Sequence, residues 1–431
     1  MRAIVAAVLM LVLSAPAPAA DDHEDAMHRV GAWFKLADRT LDAWTFRIPE
    51  PQDALRVEIA RRHAEGPPSA RIMVIYPRKS SAYDVAISTL LDDFAGRDLN
   101  LAVTAANFAN DPVRGEALVG EAVRGRYDLV YAMGSETVAW LHAQHRDLPV
   151  PIVTICAKDP VQLGQMAGYE QGSGNSIAFT SLNVLLEVQL AYLRELKPKL
   201  RNIGILVDSQ NTSAMETQAK PLAAAARSLG IEAFAVTVDE PSRAAKQLAE
   251  RVPAAVARMR RTDPPLADSI FWITGSTAVF SEIATINAHA ATVPVLSAVP
   301  EIVQAGADSA VLSIGVSFVS NAQLAAVYGV EILSGRARAG ELPVGVVSPP
   351  DLAISFLHAR RIGLRIPFSF LEAATFVYDG DGRPVREHGR DVGRRVIGAL
   401  PDPYSPLGVA RLAASASARG SAAIRSSQRW R

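Results

Sequence analysis

From residue 69 onward the chain alternates between short runs that are apolar almost throughout and longer stretches in which apolar residues recur with helical period. The runs are Arg71 to Tyr76, Leu99 to Thr104, Asp128 to Met133, Pro151 to Ile155, Asn202 to Val207, Glu232 to Val238, Ser269 to Thr274, Pro294 to Ser297 and Ala310 to Ile314. Strands with no polar alternation are buried on both faces, and such strands separated by helices pack as parallel sheets covered on either side. The pattern predicts an α/β fold.

Laying the chain against itself exposes a repeat. Asp128-Leu-Val-Tyr-Ala-Met-Gly-Ser-Glu-Thr-Val138 resembles Asp268-Ser-Ile-Phe-Trp-Ile-Thr-Gly-Ser-Thr-Ala-Val279, and each is followed by a short strand opening on Val-Pro, at Val150-Pro151 and Val293-Pro294. Two similar halves, each a doubly wound sheet, suggest two lobes that face one another. In open parallel sheets ligands sit outside the carboxyl ends of the strands. Both Gly-Ser turns fall at such ends, where glycine admits close backbone approach and a helix N-terminus favours an anion. Ser135, Thr137, Ser276 and Thr277 are then candidate ligand contacts, with helix capping as the competing role for one of each pair.

The two ends of the chain read differently. Met1-Arg2, the apolar run Ala3 to Leu13 and the small residues Ala15 to Ala20 form a secretory signal peptide cleaved after Ala19, too short and too proline-rich to span a bilayer. No Cys follows it to carry a lipid, and the mature chain is expected free in the periplasm, with no stable membrane insertion. Residues 20–68 read as a helical N-terminal extension ending in Gly66-Pro67-Pro68. Residues 368–400 read as a C-terminal hairpin extension, with strands Thr375 to Tyr378 and Pro384 to Arg386, and residues 401–431, rich in Ala, Ser, Arg and Pro, as a disordered tail.

Composition narrows the function. The 431 residues carry 44 Lys+Arg against 44 Asp+Glu, so no broad positive field exists to hold nucleic acid or anionic lipid. A single Cys excludes an internal disulfide. No G-x-S-x-G elbow, H-E-x-x-H pair or phosphate-binding loop occurs, which gives no candidate catalytic residue, and no cofactor or metal is expected. His142 and His145 stand at i, i+3 without a third ligand, Cys156 reads as a small core residue, and Asp379-Gly-Asp-Gly382 reads as a hairpin turn because Arg390 occupies the last position of a calcium loop.

Several segments, taken in order, carry a family resemblance. They are Ile152 to Val161 with its Asp-Pro-Val turn, Asn175 to Ser181, Glu187 to Pro198 followed by Arg201 to Val207, Ala225 to Glu232, Gly329 to Gly335, and Ala353 to Pro367. From about Arg71 to Pro367 the chain resembles the periplasmic substrate-binding proteins of ABC transporters, in the group with tryptophan- and tyrosine-binding members. The resemblance implies the type I periplasmic binding fold: two doubly wound lobes joined by a multi-strand hinge. The lobes would be residues 69–178 with 315–346 and residues 179–314 with 347–367. The hinge candidates are Asn175 to Ser181, Val311 to Ser317 and Gly345 to Pro349.

The pocket positions implied are Tyr76, Ser80, Ser81, Ser135, Glu136, Thr137, Lys158 and Asp159 in the first lobe, and Ser209, Asn211, Ser213, Ser276 and Thr277 in the second. The chain departs from the family where an acidic residue often meets an amino-acid ammonium, at Thr274 to Ser276 and Ser297-Ala298, which leaves Glu136 or Asp159 for that role. Tyr76 or Trp272 would stack on a flat ligand. The expected function is capture of a small polar or aromatic metabolite for a membrane permease of an ABC importer. The alternative is docking on an envelope sensor, and a periplasmic enzyme ranks last.

Overall fold

A computed structural model describes residues 27–50 and 52–392 of the chain. The expectations for residues 1–19 and 401–431 lie outside the described residues, as does the stretch 393–400. The first sheet contains β1 (Trp44–Arg47), β2 (Arg56–Arg61), β3 (Ala70–Tyr76), β4 (Leu101–Asn107), β5 (Leu129–Met133), β6 (Ile152–Ile155) and β7 (Ile177–Ala178), in the order β1-β2-β4-β3-β5-β6-β7. The five strands from β4 to β7 are parallel. Every residue of β5 and β6 is buried, as a run without polar alternation requires. Local chemistry starts the helices between them: Asp111 accepts the Val113 N–H and Pro112 opens the helix Pro112–Arg124.

The next strand, β8 (Thr180–Ser181), leaves this sheet. The second sheet contains β9 (Asn202–Asp208), β10 (Glu232–Val238), β11 (Ser269–Ile273), β12 (Val295–Ser297) and β13 (Leu312–Gly315), parallel in the order β10-β9-β11-β12-β13. Both sheets thus repeat one doubly wound order, and all nine apolar runs are strands. After β14 (Gly345–Val346) the second sheet continues through β15 (Asp351–Ser355), antiparallel to β13, and β16 (Ala374–Tyr378) to β17 (Pro384–Glu387) and β18 (Arg390–Asp391). The hairpin β16–β17 forms about Asp379, whose Oδ1 accepts the N–H groups of Asp381 and Arg383. It is the continuation of a sheet rather than a separate appendage.

The expectation of a helical segment at residues 20–68 is overturned in part. In its described portion only residues 27–31 and the helix Asp38–Ala43 are α-helical, and β1 and β2 add two antiparallel strands to the outer edge of β4. Arg56-Val-Glu-Ile-Ala-Arg61 alternates with period two, and Val57 and Ile59 turn inward. Trp33 donates to the Ala54 carbonyl at 2.7 Å and Trp44 to the Leu91 carbonyl at 2.9 Å, so the segment's aromatic residues are part of the first lobe's core.

Three strands of chain connect the sheets. β8 pairs in parallel with β14, Gly345 opposite Thr180 and Val346 opposite Ser181. The third passage runs from β13 through Val316-Ser317 into the helix Phe318–Leu333, which packs on the helix Ser81–Gly96 of the first lobe. Asn321 ties these passages together: its Oδ1 accepts the Cys156 N–H at 2.8 Å, and its Nδ2 donates to Thr180 Oγ1 and to the Ser181 carbonyl.

Candidate functional site

The carboxyl ends of β3, β5 and β6 in the first lobe meet those of β9 and β11 in the second, and a cavity of about 50 Å³ lies between them. From the first lobe Arg78, Ser80, Tyr83, Ser135, Glu136 and Lys158 reach it; from the second come Asn211, Ser213, Gly275, Thr277 and Phe280. Cys156, Leu182 and Phe318 complete the wall. A larger concavity of about 570 Å³ lies by Arg39, Asp92, Asp93 and Arg97. It lies apart from the strand ends that face each other across the two lobes, and its charges already pair with each other as Arg39 with Asp92 and Arg97 with Asp93.

Several polar groups in the cleft have partners within the fold. Ser135 Oγ accepts the backbone N–H of Lys158 at 3.0 Å, fixing the loop after β6 against the helix Gly134–Gln144. Gly134 holds a left-handed φ of +80°, and a Cβ there would stand 2.0 Å from the Tyr83 hydroxyl, so only glycine lets this turn pass under Tyr83. Arg78 Nε donates to Glu136 Oε1 at 2.9 Å at the half-exposed mouth of the cleft. Asn211 Oδ1 caps its helix by accepting from Ala214 N–H and also receives the Ser213 hydroxyl. Burial first, then the Glu136 charge, pushes the Tyr83 phenol up.

Lys158 is the exception. Its residue is 8% exposed, and its ammonium makes no hydrogen bond or ion pair among the described residues. The side chain crosses to the second lobe, where Nζ lies 2.1 Å from the position a Cβ on Gly275 would take. Gly275 is held in turn by Gln218, whose Oε1 accepts its N–H at 2.7 Å. Burial lowers the Lys158 pKa from 10.5 to about 8.

The sequence candidates divide. Ser80, Ser135, Glu136, Lys158, Asn211, Ser213 and Thr277 line the cleft; Tyr76, Ser81, Thr137, Asp159, Ser209 and Ser276 do not. Tyr76 is wholly buried with its ring edge-on to Trp33, Phe34 and Tyr83, because the N-terminal segment covers it. Trp272 lies in the core of the second lobe, away from any stacking position. Ser81 is on the exposed side of its helix start, and Thr137 is sealed beneath its own helix. Asp159 builds the turn after β6: Oδ1 accepts the Val161 and Gln162 N–H groups and Oδ2 the Tyr169 hydroxyl. Ser209 donates to the Val238 carbonyl and Asp239.

Ser276 fails for a reason of register. In the first repeat Gly134 follows directly on the last strand residue, Met133, whereas in the second Thr274 is interposed after Ile273. The extra residue turns the Ser276 hydroxyl inward to Thr274 Oγ1 and the Asp208 N–H, and leaves Gly275 and Thr277 facing the cleft. Sequence reasoning missed Arg78, Tyr83, Phe280 and Phe318. Arg78 stands two residues past β3 and was within reach of the strand-end rule, but Tyr83, Phe280 and Phe318 sit on helices whose facing depends on how the lobes dock.

Residues 101–377 match the family described as ABC transporter substrate binding protein. A tyrosine-binding protein of Clostridioides difficile (strain R20291) is 21% identical over 283 residues, which is 66% of this chain and 76% of that one. Among solved structures, an ABC domain in complex with L-Trp from Streptococcus pneumonia superposes with a TM-score of 0.56 at 18% identity, covering 71% of this chain and 99% of the other. The ligand-free, open structure of a substrate binding protein with adhesive properties from Clostridium difficile gives 0.53 at 16% identity, covering 69% and 96%. These neighbours establish the type I two-lobe fold. The family match spans most of the described fold, from β4 in the first sheet to β16 in the second, and the chain belongs to the ABC transporter substrate binding protein family.

Proposed function

We propose that the protein is the periplasmic solute-binding component of an ABC-type importer and captures a small polar or aromatic metabolite between two closing lobes. The observation that carries this reading is the cleft itself, where side chains from the strand ends of both lobes meet around a space of about 50 Å³. Pockets that enclose a small organic ligand usually measure roughly 300 Å³ or more, so entry requires the lobes to part about the β8, β14 and Val316-Ser317 passages. Closure then surrounds the ligand with groups no single lobe provides. The signal-like residues 1–19 support a periplasmic location. The lobes would be residues 69–178 with 315–346 and 179–314 with 347–367, with β1 and β2 extending the sheet of the first and β16 to β18 that of the second. The N-terminal segment, whose aromatic residues pack on the first lobe, is thereby engaged within this fold.

The test is isothermal titration of the mature protein, freed of copurified ligand, against amino acids, aromatic acids, nucleosides and sugars, with small-angle scattering of the same samples. One-to-one saturable binding, a smaller radius of gyration on binding and ligand recovered unchanged are expected. Consumption of the ligand, or binding with no compaction, would remove the closing-lobe mechanism. Uptake of the bound compound lost on deletion of the gene separates import from sensing.

A further inference from the structure

The charges in the cleft do not balance for a zwitterion. Arg78, Glu136 and Lys158 are the ionic side chains that line it, and Arg78 and Glu136 are engaged with each other. Asp159 is consumed by its own turn, and Asp208 accepts the Gln210 N–H without lining the cleft. What remains is one cation, Lys158, nine-tenths buried and without a partner among the described residues. Two long helices begin at the same place, Ser81–Gly96 and Gly134–Gln144, and neither first turn is capped by a side chain. The N-terminal ends of helix dipoles favour negative charge. The neutral lining is mixed: Ser80, Ser135, Asn211, Ser213 and Thr277 are polar, and Tyr83, Leu182, Phe280 and Phe318 supply apolar or aromatic surface.

We infer that the cleft is built for a small organic acid without an ammonium group, its carboxylate held by Lys158 Nζ and the two helix N-termini and its apolar body packed among Tyr83, Phe280 and Phe318. This rests on the solute-binding reading above and names the substrate class of the same site. One unpaired cation among the described residues of the cleft matches one negative charge, which favours a carboxylate over a phosphate dianion. An amino acid brings its carboxylate to the same place, but its ammonium then faces Arg78 and Lys158 with no free carboxylate to meet it. A further acid, Glu301, stands behind Phe318: its Oε1 accepts the Phe318 N–H, and its buried Oε2 has no hydrogen-bond partner among the described residues.

The experiment is a calorimetric titration of the mature protein at pH 7 with matched compounds: 3-phenylpropionate, phenylalanine and phenethylamine, the corresponding tyrosine set, and short aliphatic acids. An acid of this panel is expected to bind at least about 10-fold more tightly than its amino-acid counterpart, the amines not at all, and Lys158→Met to weaken the acid by about 30-fold, the scale of one lost hydrogen bond to a charged group. Gly275→Ala, which must displace the ammonium, is expected to weaken it as well while thermal unfolding stays cooperative. Tighter binding of phenylalanine or tyrosine than of their deamino acids would overturn the inference, point to Glu301, and leave the solute-binding function standing. Binding confined to sugars or nucleosides would do the same without implicating Glu301. Silence across every class would sink both readings.

Discussion

Substituting Lys158 by Met is expected to make the protein more stable at neutral pH, although the residue sits in the middle of the candidate site. In the folded chain burial lowers the Lys158 pKa to about 8, against 10.5 for an exposed lysine. Between these values the unfolded chain holds a proton that the folded chain has released, so stability rises with pH across that window. Below pH 8 both states are protonated and the cost of the buried ammonium is present in full. A shift of this size corresponds to roughly 3 kcal/mol, and the residual exposure of the side chain at the cleft brings the expected gain down to about 1–3 kcal/mol. Burial also pushes the neighbouring Cys156 thiol and Tyr83 phenol up, but both groups are present in either protein and largely cancel in the difference, and Arg78 and Glu136 remain paired in both. The assay is urea unfolding of both proteins from pH 7 to 10.5. The variant's advantage should be largest at pH 7 and shrink steadily as pH rises. An advantage independent of pH, or a less stable variant at pH 7, would show that Lys158 is not an unpaired buried cation. The stabilisation would accompany weaker ligand binding, the usual trade at a functional site.

Two further outcomes follow from the packing. Trp33→Ala should lower the free energy of unfolding by about 3–5 kcal/mol, read from urea midpoints, because it empties a buried site over Tyr76 and orphans the Ala54 carbonyl; a loss under 1 kcal/mol would mean that the N-terminal segment is only loosely attached. Asn321→Ala leaves the buried Cys156 N–H without an acceptor and frees β8 from the helix Phe318–Leu333, and should cost about 1–3 kcal/mol and broaden the distance distribution between lobe-specific spin labels. An unchanged distribution would show that β8 and β14 alone fix the lobe arrangement.

Much of the architecture was legible because its signals are local. An all-buried strand such as β5 needs an apolar run whatever its neighbours are, and a Gly-Ser turn at its end announces a helix start at a strand's carboxyl edge. Among the cleft residues, Ser80, Glu136, Lys158, Asn211 and Ser213 came from the family resemblance, and the strand-end reasoning found Ser135 and Thr277 in the turns after β5 and β11. It failed at Ser276, where one interposed residue, Thr274, rotates the hydroxyl into the core, a change of facing that a matched motif does not reveal. It also failed for Tyr76, whose exposure at a strand end was cancelled by Trp33 and Phe34 arriving from more than 40 residues upstream.

What the sequence determined by itself, then, is the doubly wound α/β class, the repeated half and the turns that begin helices, because each depends on periodicity and backbone freedom within a few residues. Only the tertiary structure decided which charges remain unpaired. Glu136 meets Arg78 across 58 residues, Asp159 is used by Tyr169, and Lys158 reaches Gly275 of the other lobe with no hydrogen-bond or ion-pair partner among the described residues. Whether a carboxylate or an ammonium is free for a ligand is set by which groups the fold brings within hydrogen-bond distance, and that information lies in contacts between lobes rather than in any one segment.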